Sequence, residues 1–267
     1  MEHRKHLTDL RRIVIKIGSS SLTHEKTGHI NIQKMEHFVR QVSDLKNSGA
    51  EVIIVSSGAQ AVGRSSLNLH VKPTVLAEKQ AVAAVGQASL MMIYQKLFRE
   101  YNHHVGQVLL TKDIMDDDKR YQNAKNTMLT LLNMNVIPIV NENDTVSTEE
   151  IEFGDNDRLS AMVSILTEAD LLILLSDIDG LYDKDPKEYS DAKIIPMIER
   201  IDDQVLAMAG LSKSDVGTGG MTTKLMAADM ANNKGIDMII ANAATPYIIQ
   251  KLKDGEVVGT IFKGHKN

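Results

Sequence analysis

No cysteine occurs in the 267 residues, so disulfides and thiolate metal sites are excluded at the outset. No run of about 18 apolar residues is present to span a bilayer. The amino terminus, MEHRKHLTDLRR, lacks the apolar core of a signal peptide. A soluble, cytoplasmic protein is the expectation. Basic residues number 30 and acidic ones 35, interspersed without a basic block, and the resulting formal charge of -5 argues against nucleic acid as a partner. Metal-loop spacing is missing as well. His103 and His104 have no third ligand at zinc spacing and read as turn and surface histidines. Asp116, Asp117 and Asp118 lack the spacing and closing glutamate of a calcium loop, and read as a solvated loop and helix cap.

What is there is enough apolar chain to bury roughly 75% of its extended surface, in one large or two small domains. Arg12 to Ile17 (RIVIKI) is the first strand candidate, closed by Gly18-Ser19-Ser20-Ser21. Lys16 lies inside that apolar run. It is either an edge-strand lysine reaching for water or a cation aimed at phosphate, and the small hydroxyl-rich turn beside it favours the second. Asn31 to Ser48 has helical spacing, and Glu51 to Val55 is a second strand ending in Ser56-Ser57-Gly58-Ala59. Strand, helix and strand, each strand followed by a glycine-serine turn, make a βαβ unit whose turns open on one edge of a parallel sheet.

Further along, Lys72 to about Tyr101 reads as one long helix, dense in small residues and methionine, suited to a tight core or a subunit contact. His103 to Leu110, Val136 to Val140, Leu171 to Leu175 and Ile236 to Ala241 are further strands, and Val257 to Phe262 is expected as a hairpin partner at the edge. Helices are expected from about Tyr121 to Met134 and from Leu225 to Asn233. The fold class that follows is α/β.

Polar clusters sit at the ends of these strands. Between Val136 and Asp157 there are seven acids, which repel one another unless cations or amines come to them. Asn141-Glu142-Asn143-Asp144 begins where a buried strand ends, the side on which ligands bind in open α/β sheets. Gly154-Asp155-Asn156-Asp157 opens a helical stretch after a probable hairpin. Ser176-Asp177 closes another buried strand, and the following LYDKDP loop carries a tyrosine that suits either an adenine and ribose site or an ordinary turn. Last comes Gly217-Thr218-Gly219-Gly220-Met221-Thr222-Thr223-Lys224, leading into a helix. It fits neither the dinucleotide fingerprint, which follows a strand directly, nor the P-loop, whose spacing differs. Glycines before a helix amino terminus with a lysine still describe a phosphate site.

Taken together, Lys16-Ile-Gly-Ser-Ser, Val55-Ser-Ser-Gly-Ala, Asn141-Glu-Asn-Asp, Phe153-Gly-Asp-Asn-Asp and Gly217 to Lys224 resemble the glutamate 5-kinases of the amino acid kinase family, in the right order and over nearly the whole chain. The resemblance implies a three-layer α/β/α sandwich around a largely parallel sheet. It implies a single domain over 1–267, with a lobe of about 1–167 for the amino acid and one of about 168–267 for the nucleotide. Many relatives carry a further carboxyl-terminal PUA domain, for which a chain ending at Asn267 leaves no room. The implied reaction is ATP plus L-glutamate giving L-glutamyl 5-phosphate and ADP with Mg2+, the first step of proline biosynthesis, with proline as feedback inhibitor. A homodimer or homotetramer is implied too.

Carried over by motif, Ser57, Asp144 and Asn156 are the implied glutamate contacts. Lys16, Ser176, Asp177 and the run Thr218, Gly219, Gly220, Met221, Thr222, Thr223 and Lys224 are the implied nucleotide contacts. Lys16, Asp157 and Lys224 are the implied catalytic group. A carboxylate acceptor is already ionised at neutral pH and needs no general base, so positioning and charge neutralisation must carry the rate. Two lysines on the same phosphates repel, and Asp157 between them organises the charge. A free α-ammonium requires acceptors, which Asp144 and the carbonyls of Asn141 and Asn143 supply; this favours glutamate over acetylglutamate. The alternatives are an acetylglutamate, aspartate or nucleoside monophosphate kinase of the same family, or a non-catalytic amino acid sensor.

Overall fold

The computed structural model describes residues 9–24, 27–147, 156–208 and 220–265. Its framework is one eight-stranded sheet. In chain order the strands are β1 (Arg12–Ile17), β2 (Glu51–Ser56), β3 (His104–Leu110), β4 (Val136–Glu142), β5 (Leu171–Ser176), β6 (Met197–Ile198), β7 (Asp237–Asn242) and β8 (Thr260–Phe262). Across the sheet they run β3-β4-β2-β1-β5-β7-β8-β6. Every pairing is parallel except β7 with β8. The helices are α1 (Ile32–Asn47), α2 (Ala59–Ser66), α3 (Leu76–Arg99), α4 (Asp118–Asn133), α5 (Asp157–Leu166), α6 (Asp203–Met208), α7 (Met221–Asn232) and α8 (Ile248–Lys253).

Period-two alternation explains the layers. Ile13, Ile15 and Ile17 of β1 face a core built with Met35 and Phe38 of α1, Leu90 and Tyr94 of α3 and Ile248 of α8. Val14, from the same strand, belongs to the opposite core, with Met128 of α4, Leu159 and Val163 of α5 and Leu225 of α7. A sheet buried on both faces needs apolar residues at consecutive positions, and β1, β2 and β5 supply them. The expected three-layer α/β/α sandwich is what forms.

Lys16 falls on the Val14 face, in a central strand between β2 and β5, so it is no edge lysine. Strand β4 runs two residues beyond the expected end, because Asn141 and Glu142 pair with Leu109 and Leu110 of β3. The hairpin partner expected at the edge is displaced inward: β8 does pair antiparallel with β7, but the short β6 adds a strand outside it. Asp117 caps α4, its side chain accepting from the Arg120 N–H at 2.9 Å. His103 proves to be buried where a surface histidine was expected, and burial pushes its pKa down. Among the described residues no helix is long and apolar enough to cross a membrane.

Candidate active site

The sheet reverses its direction of growth between β1 and β5. From β1 the chain adds β2, β4 and β3 on one side, and from β5 it adds β7, β8 and β6 on the other. Such a switch point leaves a crevice beyond the strands' carboxyl ends, and open α/β sheets bind ligands there. Lys16 is the penultimate residue of β1, and α5 leads directly into β5.

Asp157 is the first residue of α5 and is fully buried. One carboxylate oxygen, Oδ1, meets Lys16 Nζ at 2.7 Å; the other, Oδ2, meets Lys224 Nζ at 3.0 Å. Thr223 Oγ1 donates to the same Oδ2 at 3.1 Å. Both lysine side chains are nearly buried, at 8% and 10% exposure. A buried ammonium requires a partner, and one acid serves two of them. Two ammonium groups brought to one carboxylate make a cationic centre suited to an anionic ligand.

Helix α7 delivers Lys224 from its first turn. Gly220 lies shortly before it at φ 71°, a conformation that side-chain-bearing residues rarely adopt, and among the described residues beyond its chain neighbours no atom lies within 4 Å of where a Cβ would stand. Its carbonyl accepts from Thr223 Oγ1 at 3.1 Å, which ties the lysine-bearing turn to the glycine. Gly18 lies beside Lys16, with the ammonium 3.8 Å from a virtual Cβ. The turn after β1 winds as a short 3-10 helix over Ser19–Ser21 and uses the N–H groups of Ser21 and Leu22 internally. Ser176 and Asp177 end β5 and are joined by a 3.0 Å hydrogen bond from Ser176 Oγ. Tyr182, in the loop beyond, donates to Asp179 Oδ2 at 2.9 Å. Thr218, Gly219 and the Gly154-Asp155 part of the acid cluster lie outside the described residues.

A second group of side chains adjoins Asp157 through its neighbour. Asn156 is fully buried, and its Nδ2 donates to Asn141 Oδ1 at 2.7 Å, Ser57 Oγ at 3.0 Å and the Ser56 carbonyl at 3.3 Å. Strand ends far apart in sequence are thereby drawn to one point. Asp144 lies just past β4, where burial first and the nearby Glu142 carboxylate second push its pKa up to about 6. Among the described residues its Oδ1, like Glu142 Oε2, is a buried acceptor without a donor. Asn143, the other expected acceptor, also builds the turn that holds Asp144: its carbonyl accepts from the N–H groups of Val146 and Ser147, and its Oδ1 from Thr145.

Sequence reasoning missed three contributors. Glu142 was read only as part of the acid cluster. Gln87 and Tyr94 of α3 were invisible, because a polar group on a small-residue helix gives no signal of which strand end it will reach. Tyr94 is fully buried and shares a 2.9 Å hydrogen bond with Ser56 Oγ.

Comparison with known proteins agrees with this geometry. The amino acid kinase family matches residues 11–242. The chain is 56% identical over 259 residues to the glutamate 5-kinase of Carboxydothermus hydrogenoformans, covering 97% of this chain and 69% of that protein. It is 50% identical over 267 residues to the glutamate 5-kinase of Clostridium perfringens, covering 98% and 99%. Among solved structures, a UMP kinase from Bacillus anthracis superposes with a TM-score of 0.65 at 15% identity, over 96% of this chain and 97% of that one. A carbamate kinase from Giardia lamblia gives 0.66 at 14%, over 97% and 100%. These two share the fold. With the sheet order, a family match across both halves of the sheet and relatives half-identical along nearly its full length, this chain belongs to the amino acid kinase family.

Proposed function

We propose that the chain transfers the γ-phosphoryl group of ATP to the side-chain carboxylate of L-glutamate, giving L-glutamyl 5-phosphate and ADP at the start of proline biosynthesis. The observation that carries this reading is the pair of ammonium groups held on the two oxygens of Asp157. A carboxylate oxygen of glutamate attacks the γ-phosphorus, the bond from that phosphorus to the β,γ-bridging oxygen breaks, and the electron pair leaves on ADP. No proton moves, so no base is needed. Lys16 and Lys224 neutralise the phosphate charge where it develops, and Asp157 keeps them from separating.

Nucleotide phosphates fit beside Gly220 and the first turn of α7, where the helix amino terminus adds to the field. Thr218 to Lys224 with Ser176 and Asp177 hold the nucleotide, on the 168–267 side of the switch point. Ser57, Asn141, Asp144 and Asn156 hold glutamate, on the 1–167 side. Mg2+ is taken to arrive with the triphosphate, as membership of a kinase family implies. Asp144 supports a free α-ammonium over an acetylated amine. The lysine pair supports a catalyst over a sensor, since binding an amino acid requires neither lysine.

The reaction is placed in the cytoplasm, with proline acting as inhibitor at or near the glutamate pocket. The assembly is assigned as a homodimer or homotetramer through the exposed face of α3. The deciding assay is ADP release with Mg2+ across glutamate, acetylglutamate, aspartate and UMP, trapping the acyl phosphate with hydroxylamine. Glutamate-dependent hydroxamate is expected, and ADP release with another acceptor only would reject the assignment.

A further inference from the structure

Helix α3 lies in the layer opposite α5 and α7, yet besides Tyr94 it sends a second polar side chain, Gln87, to the same site. Gln87 is buried, at 8% exposure. Its Oε1 accepts from Asn141 Nδ2 at 2.9 Å, Asn141 Oδ1 accepts from Asn156 Nδ2 at 2.7 Å, and that Nδ2 also donates to Ser57 Oγ at 3.0 Å. The relay has a fixed polarity, each amide oxygen facing the next amide's NH2 group. It leaves Gln87 Nε2 as a buried donor without a partner among the described residues. Buried polar atoms in native proteins are satisfied with few exceptions, and an exception at a ligand site is explained by the ligand.

The position of Gln87 is built in by the residue before it. A Cβ on Gly86 would stand 1.7 Å from the Ala59 carbonyl oxygen and 2.5 Å from the Gly63 N, and one on Gly63 would stand 1.9 Å from the Val82 carbonyl oxygen. Helices α2 and α3 thus touch backbone to backbone. That contact brings residue 87 down to the strand ends. Around β4 the unsatisfied atoms then have opposite polarity: a neutral donor on Gln87, and acid acceptors on Asp144 and Glu142. A neutral donor and acid acceptors about the end of β4 match the chemistry of the two ends of an amino acid zwitterion.

We propose that Gln87 is a specificity residue whose Nε2 donates to the α-carboxylate of the substrate while Asp144 accepts from its α-ammonium. Gripped by both, the amino acid can present only its side-chain carboxylate to the phosphates. The proposal rests on the glutamate kinase reading and adds to it the residue that selects which carboxylate reacts.

Two substitutions test it. Gln87→Glu keeps an oxygen for Asn141 Nδ2 and replaces the donor with an acid; Gln87→Met removes both groups at similar volume. Both are expected to raise KM for glutamate by roughly tenfold or more, Gln87→Glu the further, as expected for a lost hydrogen bond to a charged group. KM for ATP should stay within roughly twofold. The wild type should also prefer glutamate to its α-carboxamide analogue, isoglutamine, and that preference should narrow in Gln87→Met. An unchanged KM for glutamate, an equal rise in both KM values, or an unaltered preference would overturn the assignment. If Gln87→Glu does not fold, Gln87→Met carries the test, with Gln87→Asn as the shortened amide. A wild type inert toward glutamate rejects the function itself and this inference with it; an active wild type with indifferent variants rejects Gln87 alone.

Discussion

Asp157 shows how much can rest on one carboxylate. Both of its oxygens are committed to ammonium groups, so each lysine is held in place before any ligand arrives, which in the proposed mechanism is the condition for preorganised electrostatic catalysis. Replacing Lys224 with Ala is expected to lower kcat by roughly a hundredfold or more, the typical effect of losing one transition-state donor. Lys16→Ala should act similarly. Steady-state assay at saturating glutamate and ATP measures this, and near-normal turnover in either variant would remove that lysine from the chemistry.

Asp144 gives the residue scale its pH dependence. Burial and then Glu142 hold its pKa up near 6, above the ordinary 3.8. The ligand-free folded protein therefore keeps a proton that the unfolded chain releases between those values, and stability contributed by this group is lost as pH rises through that window, then stays level. Substrate binding runs the other way, since an α-ammonium needs the ionised acid. KM for glutamate is expected to fall up to about tenfold per pH unit on approaching pH 6 from below, and to flatten above it. Asp144→Asn should abolish that break. A KM profile without a break near pH 6 in the wild type would show that the acid does not meet the ammonium.

At the scale of elements, the pairing of α2 with α3 is the most exacting contact in the molecule. Gly86 leaves no room for a methyl group, and what a Cβ would strike is backbone, which cannot rotate away. Gly86→Ala is expected to cost about 1–3 kcal/mol or more, as overpacking does. Because α3 carries Gln87 and Tyr94, the same change should raise KM for glutamate while leaving KM for ATP little altered. Urea denaturation and the two KM values decide this; unchanged stability would mean that the helices separate without penalty.

Element legibility followed the strength of the local pattern. Arg12–Ile17 and Leu171–Ser176 are nearly continuous apolar runs, and such strands announce themselves. Helix α1 was legible from its apolar face and from Asn31, whose side chain caps it by accepting from the Lys34 N–H. Helix α2 gives no such signal, being only eight residues, AQAVGRSS, held by the fit against α3 and not by its own propensity. The two-residue β6 is equally silent, since its pairing with β8 joins segments that no local period connects.

For the whole molecule, the sheet order brings the described parts of clusters scattered in the sequence to one crevice. Growth to one side of β1 and to the other side of β5 makes a crevice between two groups of four strands; in the proposed mechanism one group supplies the glutamate contacts and Lys16, the other the remaining nucleotide contacts. Assembly is a prediction at the same scale. Val85 and Met92 of α3 are exposed, Met92 at 68%, with Val71 and Val75 on the approach to the helix. Apolar side chains grouped in this way favour contact with a second copy. Sedimentation velocity at micromolar concentration is expected to give the mass of two or four chains, and Met92→Lys should shift it toward one. A wild type that sediments as a single chain would refute the interface.

The sequence alone determined the α/β class, the principal strands and the residue types of the site, because alternation, apolar runs and glycine-bounded turns are local properties of the chain. It also supplied the two lysines and the acid that binds them, since charges of that kind within or beside apolar stretches require partners. Tertiary structure decided the rest: that Lys16 lies in a central strand, that Asn143 builds a turn, and that a glutamine on a helix of the other layer reaches the amide relay. Those outcomes depend on which strands become neighbours and how closely two helices approach, and distances between segments far apart in sequence are fixed only when the whole chain packs.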